Sequence, residues 1–165
     1  MMKENKVLIA YFSWSGNTRE IANRIHKMVG GDMFEIQRAD DYPTNYNAVL
    51  DIAKKEIRSE SKPELKDKLA EIEKYNTIFI GYPNWWNTFP APVTTFLSEH
   101  NFSKKTIIPF CTHGGGGIGR SISDMAKLCP EAIILNELSI NGSAANSSSP
   151  AVEKWLNKVL NASIR

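Results

Sequence analysis

Short apolar runs alternate along this chain with segments whose apolar residues recur at helical spacing. Residues 7–12 are apolar at consecutive positions, which is typical of a strand buried on both faces. The next segment places Ile21, Ala22 and Ile25 on one side of a helix that two glycines end. The alternation continues and predicts strands over residues 7–12, 33–38, 77–81, 106–111 and 132–138, with helices over 17–29, 47–59, from 90, after 119 and from 149.

This alternation of strands and helices predicts an α/β fold, a parallel sheet with helices on both faces. The loops with unusual composition follow the first, third and fourth strands. In open sheets of this kind, ligands bind at the carboxyl ends of the strands where the strand order reverses. The order 2-1-3-4-5 makes the three loops neighbours, whereas 3-2-1-4-5 separates them. We therefore predict one domain over residues 1–165 with a five-stranded parallel sheet of order 2-1-3-4-5.

Composition and charge narrow the possible partners. The chain has 165 residues and a net charge of +2, and its lysines and arginines form no stripe, which argues against nucleic acid as a partner. It has no apolar run of the ~18 residues that a membrane span needs and no secretory signal, so we expect a cytoplasmic protein without a membrane partner. Its two cysteines predict no disulfide framework, and its histidines have no metal-ligand spacing. Nothing in the sequence indicates an oligomeric state.

The loop after the first strand reads Ser13-Trp14-Ser15-Gly16-Asn17-Thr18 and is rich in hydrogen-bond donors. It opens a helix, whose first N–H groups have no partner within the helix and so favour an anion. Asn17 and Glu20 also have the spacing of a helix cap. The loop contains no lysine and lacks the P-loop pattern, which argues against triphosphate hydrolysis. This stretch therefore predicts a site for a phosphate group held by neutral donors.

The loops after the third and fourth strands predict a flat ligand. Trp85 and Trp86 are adjacent, and we expect one to pack in the core and the other to stack on a planar group. Residues 114–117 are all glycine, which lets the backbone approach a flat surface closely. Residues 114–119 also match a dinucleotide fingerprint formally, but that fingerprint normally follows the first strand. Cys111 lacks the spacing of a phosphatase nucleophile loop, so we expect a buried thiol.

Together these loops are similar to those of the flavodoxins and flavodoxin-like proteins. The stretch Ser13-x-Ser15-Gly16-Asn17-Thr18 resembles their phosphate turn, Thr/Ser-x-Thr/Ser-Gly-x-Thr. Residues 81–86 and 109–115 resemble the two loops that flank the flavin in a bacterial branch of that family. The resemblance extends over nearly the whole chain, and three motifs in order are more specific than one.

The resemblance implies a flavodoxin-like three-layer sandwich that binds FMN non-covalently. It also implies electron transfer with a redox partner protein or a small-molecule donor or acceptor. The residues that it implies at the phosphate are Ser13, Trp14, Ser15, Gly16, Asn17 and Thr18. Those that it implies around the isoalloxazine ring are Pro83, Asn84, Trp85, Trp86, Asn87, Thr112, His113, Gly114, Gly115, Gly116 and Gly117.

Two features depart from the electron carriers of that family. Those carriers are usually strongly acidic, whereas this chain has a pI near 8.5. Asn87 follows the aromatic pair, where a small residue such as glycine is common. These departures keep open an FMN-dependent NAD(P)H or quinone oxidoreductase, in which His113 would donate a proton. A third possibility is a module without redox chemistry that uses the fold to bind a partner.

Overall fold

The computed structural model describes residues 6–147 and 149–164. Its strands are β1 (Val7–Tyr11), β2 (Asp32–Glu35), β3 (Thr77–Pro83), β4 (Thr106–His113), β5 (Ile133–Ile134) and β6 (Leu138–Asn141). Its α-helices are α1 (Asn17–Val29), α2 (Tyr46–Arg58), α3 (Ala91–Glu99), α4 (Ser121–Leu128) and α5 (Ser149–Ile164). Two 3₁₀ segments, Ile72–Lys74 and Gly142–Ser147, complete the elements.

The strands form one parallel sheet of order β2-β1-β3-β4-β5, with β6 also paired to β4. The predicted order 2-1-3-4-5 is therefore confirmed. Ile9 and Phe79 pack beneath α1 and α5 on one face of the sheet. Ile78 and Ile80 pack beneath α3 and α4 on the other face. Because both faces are covered, the central strands are apolar at consecutive positions.

The fifth strand position is occupied by two short strands. The sequence predicted one strand over 132–138, but β5 ends at Ile134 and β6 begins at Leu138. Ile134 pairs with Ile107 and Leu138 pairs with Phe110, so the register shifts by one extra residue between them. In that interval the Trp155 indole N–H of α5 donates to the carbonyl of Asn136 at 3.0 Å. A helix side chain thus pairs with a carbonyl of the intervening segment.

The second strand is shorter than predicted and lies at the sheet edge, as the order 2-1-3-4-5 requires. Regular pairing ends at Glu35, although Ile36 N–H still donates to Tyr11 O at 2.7 Å. The chain then turns to pair with the segment before the third strand, where Arg38 and Leu65 form an antiparallel bridge. Of the residues predicted at 36–38, Ile36 therefore still bonds to β1, whereas Gln37 and Arg38 pair with the segment before β3.

One close contact fixes the register of the central strands. A Cβ added at Gly81 of β3 would lie 2.1 Å from ring atoms of Phe110, its register partner on β4. The ring therefore occupies the space of the missing side chain. No helix within residues 6–147 and 149–164 is long and apolar enough to cross a membrane.

Candidate functional site

The carboxyl ends of β1, β3 and β4 bring the three loops together. Just beyond β1, Phe12 N–H donates to Gly81 O of β3 at 3.0 Å. Just beyond β3, Asn84 N–H donates to Thr112 O of β4 at 2.8 Å. Backbone hydrogen bonds therefore connect the first loop to the end of β3. They also connect the second loop to the end of β4. The predicted cluster of loops is present in the structure.

The first loop is a tight turn that ends in the open N-terminus of α1. Gly16 has a φ of 102°, a left-handed conformation that favours glycine, and its N–H donates to Ser13 Oγ at 3.1 Å. The first α-helical hydrogen bond runs from Glu20 N–H to Gly16 O at 3.0 Å. This geometry leaves the N–H groups of Asn17 and Thr18 at the helix start without intrahelical acceptors. They are the donors that an anion would use there.

The cap predicted from Asn17 and Glu20 is wrong. The residue that caps α1 is Gly16, and no side chain hydrogen-bonds to the helix N-terminus as a cap. The Glu20 carboxylate instead forms an ion pair with Arg24 one turn later, at 2.9 Å. A glutamate at the first turn can pair with a cation four residues on as readily as it can reach back to the cap.

A buried pair of hydroxyls joins the first loop to the end of β4. Thr18 Oγ1 and Thr112 Oγ1 lie 2.8 Å apart and hydrogen-bond to each other. Their residues are only 1% and 3% exposed. Each threonine was predicted as a ligand contact from its own loop, and the structure shows that the two also bind one another. A hydroxyl donates one hydrogen, so when Thr112 donates to Thr18, the hydrogen of Thr18 remains available.

The arginine that follows Thr18 is paired with a carboxylate. Arg19 contacts Glu35 of β2 through Nε at 3.2 Å and Nη2 at 2.9 Å. Tyr11 also donates to Glu35, at 2.9 Å, and burial followed by this hydrogen bond raises the pKa of Tyr11. Burial would raise the pKa of Glu35, but hydrogen bonds from Arg19, Gln37 and Tyr11 outweigh it and lower that pKa. The turn therefore presents neutral donors, as its lack of lysine predicted.

The aromatic residues of the first two loops pack against the segment around α2. Trp14 donates from its indole N–H to Pro43 O at 3.0 Å. Trp85 packs edge-on against Phe12 and Tyr42, with ring centroids 5.3 Å away in each case. Trp86 is 43% exposed. The structure thus places Trp85 against the core and leaves the neighbouring indole accessible.

Contacts with α2 hold Trp86 in place. Its indole N–H donates to Leu50 O at 3.0 Å, and the ammonium of Lys54 lies 5.0 Å from the ring centroid. A cation at that distance over an indole is attracted by the ring. The exposed indole therefore has a defined orientation.

The second loop contains a strained turn that sequence analysis did not find. Trp85 and Thr88 exchange backbone hydrogen bonds of 2.9 and 3.2 Å around Trp86 and Asn87, whose φ values are 53° and 70°. Two consecutive positive φ values define a type I′ turn, which normally takes Asn-Gly. A bulky residue in this conformation costs on the order of 1–3 kcal/mol, and such strain clusters at functional sites.

The start of α4 anchors this turn. Arg120 N–H donates to Asn87 O at 2.7 Å, and Thr88 Oγ1 donates to Asp124 at 2.6 Å. A Cβ at Gly119 would lie 2.3 Å from Asn87 O, so glycine permits the close approach. The last glycine of the formal dinucleotide fingerprint therefore serves a contact between loops. Gly119, Arg120 and Asp124 were not predicted at this turn, because only the folded chain brings them to it.

The third loop combines a fixed histidine with open glycine backbone. His113 Nδ1 accepts from Gly115 N–H at 3.0 Å, which leaves Nε2 to carry the proton of the neutral ring. Asn84 donates from its side chain to Gly117 O at 2.7 Å and so connects the second and third loops. Cβ atoms added at Gly114 and Gly115 would meet no atom within 4 Å. Side chains there would fill this open space, so the loop fits a flat group that approaches the backbone.

Other reactive groups lie away from this arrangement. Cys111 is fully buried, which confirms the predicted buried thiol, and burial raises the pKa of this thiol to about 12. Among the described residues, no group of three or more histidine, cysteine, aspartate and glutamate side chains could hold a metal ion. A cavity of about 520 Å³ lies between α2, α3 and α4 and shares Thr88, Arg120 and Asp124 with the anchored turn and its contacts. It contains no residue predicted to contact the flavin.

Comparison with known proteins identifies the family. The family model described as Flavodoxin matches residues 6–159, and the chain therefore belongs to the flavodoxin family. This confirms the resemblance and the flavodoxin-like α/β fold.

Solved structures share the fold over nearly the whole chain. A protein of Bacteroides eggerthii described as a flavoprotein is 31% identical, with a TM-score of 0.82 over 95% of this chain and 99% of that one. A similar protein of Bacteroides uniformis is 32% identical, with a TM-score of 0.81 over 93% and 98%. A flavoprotein of Lactobacillus acidophilus, solved in complex with FMN, shares the fold at 22% identity and a TM-score of 0.72 over 87% and 97%.

A curated relative matches a smaller region. The NAD(P)H oxidoreductase YcaK of Escherichia coli, itself uncharacterized, is 25% identical over 86 residues, which are 50% of this chain. The match spans 44% of that protein's length, so this chain corresponds to less than half of it.

We predict that Thr18→Val destabilises the protein by about 1–3 kcal/mol, because it leaves the buried hydroxyl of Thr112 without its partner. Thr18→Val combined with Thr112→Val should recover most of that loss, since both polar groups are then removed. Urea unfolding of the protein without added cofactor measures both. A double variant that is as unstable as the sum of the two single variants would contradict the pairing.

We predict a pH-dependent contribution from Glu35, whose pKa is lowered in the folded protein. Such a group stabilises the fold above the ordinary carboxyl pKa, and this stabilisation is lost as the pH falls through the lower folded value. Glu35→Gln should therefore reduce the free energy of unfolding at pH 7 and have a smaller effect at pH 3. Urea unfolding at both values measures this, with Glu153→Gln on the exposed side of α5 as the control.

Proposed function

We propose that this chain binds FMN non-covalently at the three loops and uses it to transfer electrons. The observation that carries the proposal is their convergence at one sheet edge with complementary chemistry. Hydroxyl and N–H donors lie at the first loop, an exposed indole at the second and bare backbone at the third. The phosphate of FMN would bind the donors of the first loop, and its flavin ring would stack on the indole of the second. The edge of that ring would approach the bare backbone of the third loop. The Lactobacillus acidophilus flavoprotein, which shares the fold, was solved with FMN.

The first loop would hold the phosphate without a cation. Ser13 Oγ already accepts from Gly16 N–H, so its hydrogen is available to donate. Thr18 can donate when Thr112 donates to it. The N–H groups at the start of α1 add backbone donors and the positive end of the helix dipole. Since Arg19 is paired with Glu35, binding would depend on hydrogen-bond geometry more than on net charge.

The second and third loops would flank the flavin ring. Trp86 has an exposed indole of fixed orientation, and Gly114 and Gly115 leave space for a planar group. His113 is held by Gly115, with Nε2 available as a hydrogen-bond donor. When bound, FMN supplies one- or two-electron transfer, while the protein positions it and tunes its potential.

We expect the protein to quench the fluorescence of free FMN on titration and to saturate with one FMN per chain. Ser13→Ala should weaken binding by about 2 kcal/mol, since it removes a hydrogen bond to a charged group. Ser103→Ala, in the turn before β4 at the opposite edge of the sheet, is the matched control and should bind like the wild type. Absence of FMN binding by the wild type would contradict the proposed function.

A second candidate is an FMN-dependent NAD(P)H or quinone oxidoreductase. The partial relative YcaK favours it, as does the histidine held at the third loop. The net charge of +2 also differs from that of strongly acidic carriers. In such an enzyme the three loops would hold FMN, which would supply two-electron transfer between the nicotinamide and an acceptor.

Mixing the FMN-loaded protein with NADH or NADPH in the absence of air distinguishes the two candidates. An electron carrier should keep its visible flavin absorption, because it receives electrons from a protein. An oxidoreductase should lose that absorption rapidly with one of the nucleotides. In that case His113→Phe, which removes the ring N–H donor at the third loop, should slow flavin reoxidation by a quinone.

A further inference from the structure

The chain after β6 returns to the sheet edge beside the phosphate turn. Thr112 and His113 of β4 pair with Ile140 and Asn141 of β6, so Gly142 follows at the level where the third loop begins. The extra residue between β5 and β6 sets this register. The 3₁₀ segment Gly142–Ser147 then packs against α1, with Ala145 buried in the same apolar cluster as residues of that helix. A fourth segment therefore borders the proposed phosphate site.

Gly142 makes the closest approach to the phosphate turn. A Cβ added there would lie 2.6 Å from Asn17 Nδ2 and 3.7 Å from His113 O. Its φ is not in the left-handed region, so its backbone conformation does not require glycine. A side chain at this position would therefore have to displace the Asn17 amide. The absence of a Cβ at Gly142 leaves room for that amide in its observed place.

Local hydrogen bonds hold Gly142 in position. Asn141 Oδ1 accepts from Ser143 N–H at 3.0 Å and from Ser143 Oγ at 2.8 Å, and so closes a turn around Gly142. The backbone on one side of the Asn17 amide is therefore fixed by β6 and by this turn. Asn17 itself is fixed as the first residue of α1.

We propose that Gly142 is a positioning residue of the phosphate site. Its bare backbone sets the orientation of the Asn17 amide, and that amide in turn hydrogen-bonds the phosphate of FMN. This inference rests on the proposed function. It adds the connection between β6 and α5 to the three loops that define the site.

The test is Gly142→Ala, whose methyl group would displace the Asn17 amide. FMN affinity should fall roughly tenfold or more, as expected for a lost hydrogen bond to a charged group. Affinity for riboflavin, which has the same ring and ribityl chain but no phosphate, should not change. Flavin fluorescence quenching measures both ligands on the same protein sample. Equal losses for the two ligands, or no loss for FMN, would overturn the inference.

Asn17→Ala provides the matched background, because it removes the atom that the new methyl group meets. Asn17→Ala alone should weaken FMN binding, and adding Gly142→Ala should weaken it no further. An equal additional loss in that background would mean that Gly142 acts independently of Asn17 and would overturn the inference. If Gly142→Ala alone fails to fold, folding of the double variant would establish the contact between residue 142 and the Asn17 amide. Weaker FMN binding by Asn17→Ala would then support the role of the amide, and unchanged binding would overturn it. Failure of the wild type to bind FMN would instead contradict the proposed function.

Discussion

The ring of Phe110 occupies the space that a side chain at Gly81 would need, and the relative position of the three loops depends on this contact. The two residues are register partners, and Tyr11 and Leu138 continue the same row across β1 and β6. A slip of one residue would bring a bulky neighbour of Gly81 against the ring and turn each strand's side chains to the opposite face. The first loop begins two residues beyond this row and the other two loops about three residues beyond it. The packing of one aromatic ring therefore sets the levels at which the donors, the indole and the glycines meet.

Hydrogen bonds between the loops then fix the site without a ligand. The Thr18–Thr112 pair joins the first loop to the end of β4, and the Asn84 side chain joins the second loop to the third loop. A ligand that enters loops already ordered does not incur the entropic cost of ordering them. Arg19, the residue after Thr18, is paired with Glu35. The proposed phosphate would therefore be held by the directions of neutral donors, and small displacements of residues such as Asn17 would matter more than they would beside a lysine.

Sequence patterns predicted the order of elements and the loops that meet, because strand burial and helix periodicity are local properties. They did not predict the division of the fifth strand at Asn136 and Glu137, because only the folded chain places the Trp155 indole on the Asn136 carbonyl. The helix cap was wrong because Glu20 has an alternative partner in Arg24. Gly119, Arg120 and Gly142 were not predicted at the site for a related reason. Their roles depend on contacts with residues far away in sequence. The sequence alone also does not show whether a glycine is needed because a neighbouring atom lies close to it or because its own φ is positive.

The strained turn at Trp86 and Asn87 persists because two sets of contacts stabilise it from opposite sides. The start of α4 binds the turn through Arg120 N–H and Asp124, while Leu50 and Lys54 of α2 hold the indole. A type I′ turn with Asn-Gly would form without this support. With Trp-Asn the turn is locally less stable, but it places a large side chain at the rim of the site. Replacing the contacts on one side alone would allow the turn to relax towards ordinary φ values and would move the indole. The position of Trp86 therefore depends on both α2 and α4, although neither helix supplies a residue that the family motif identifies.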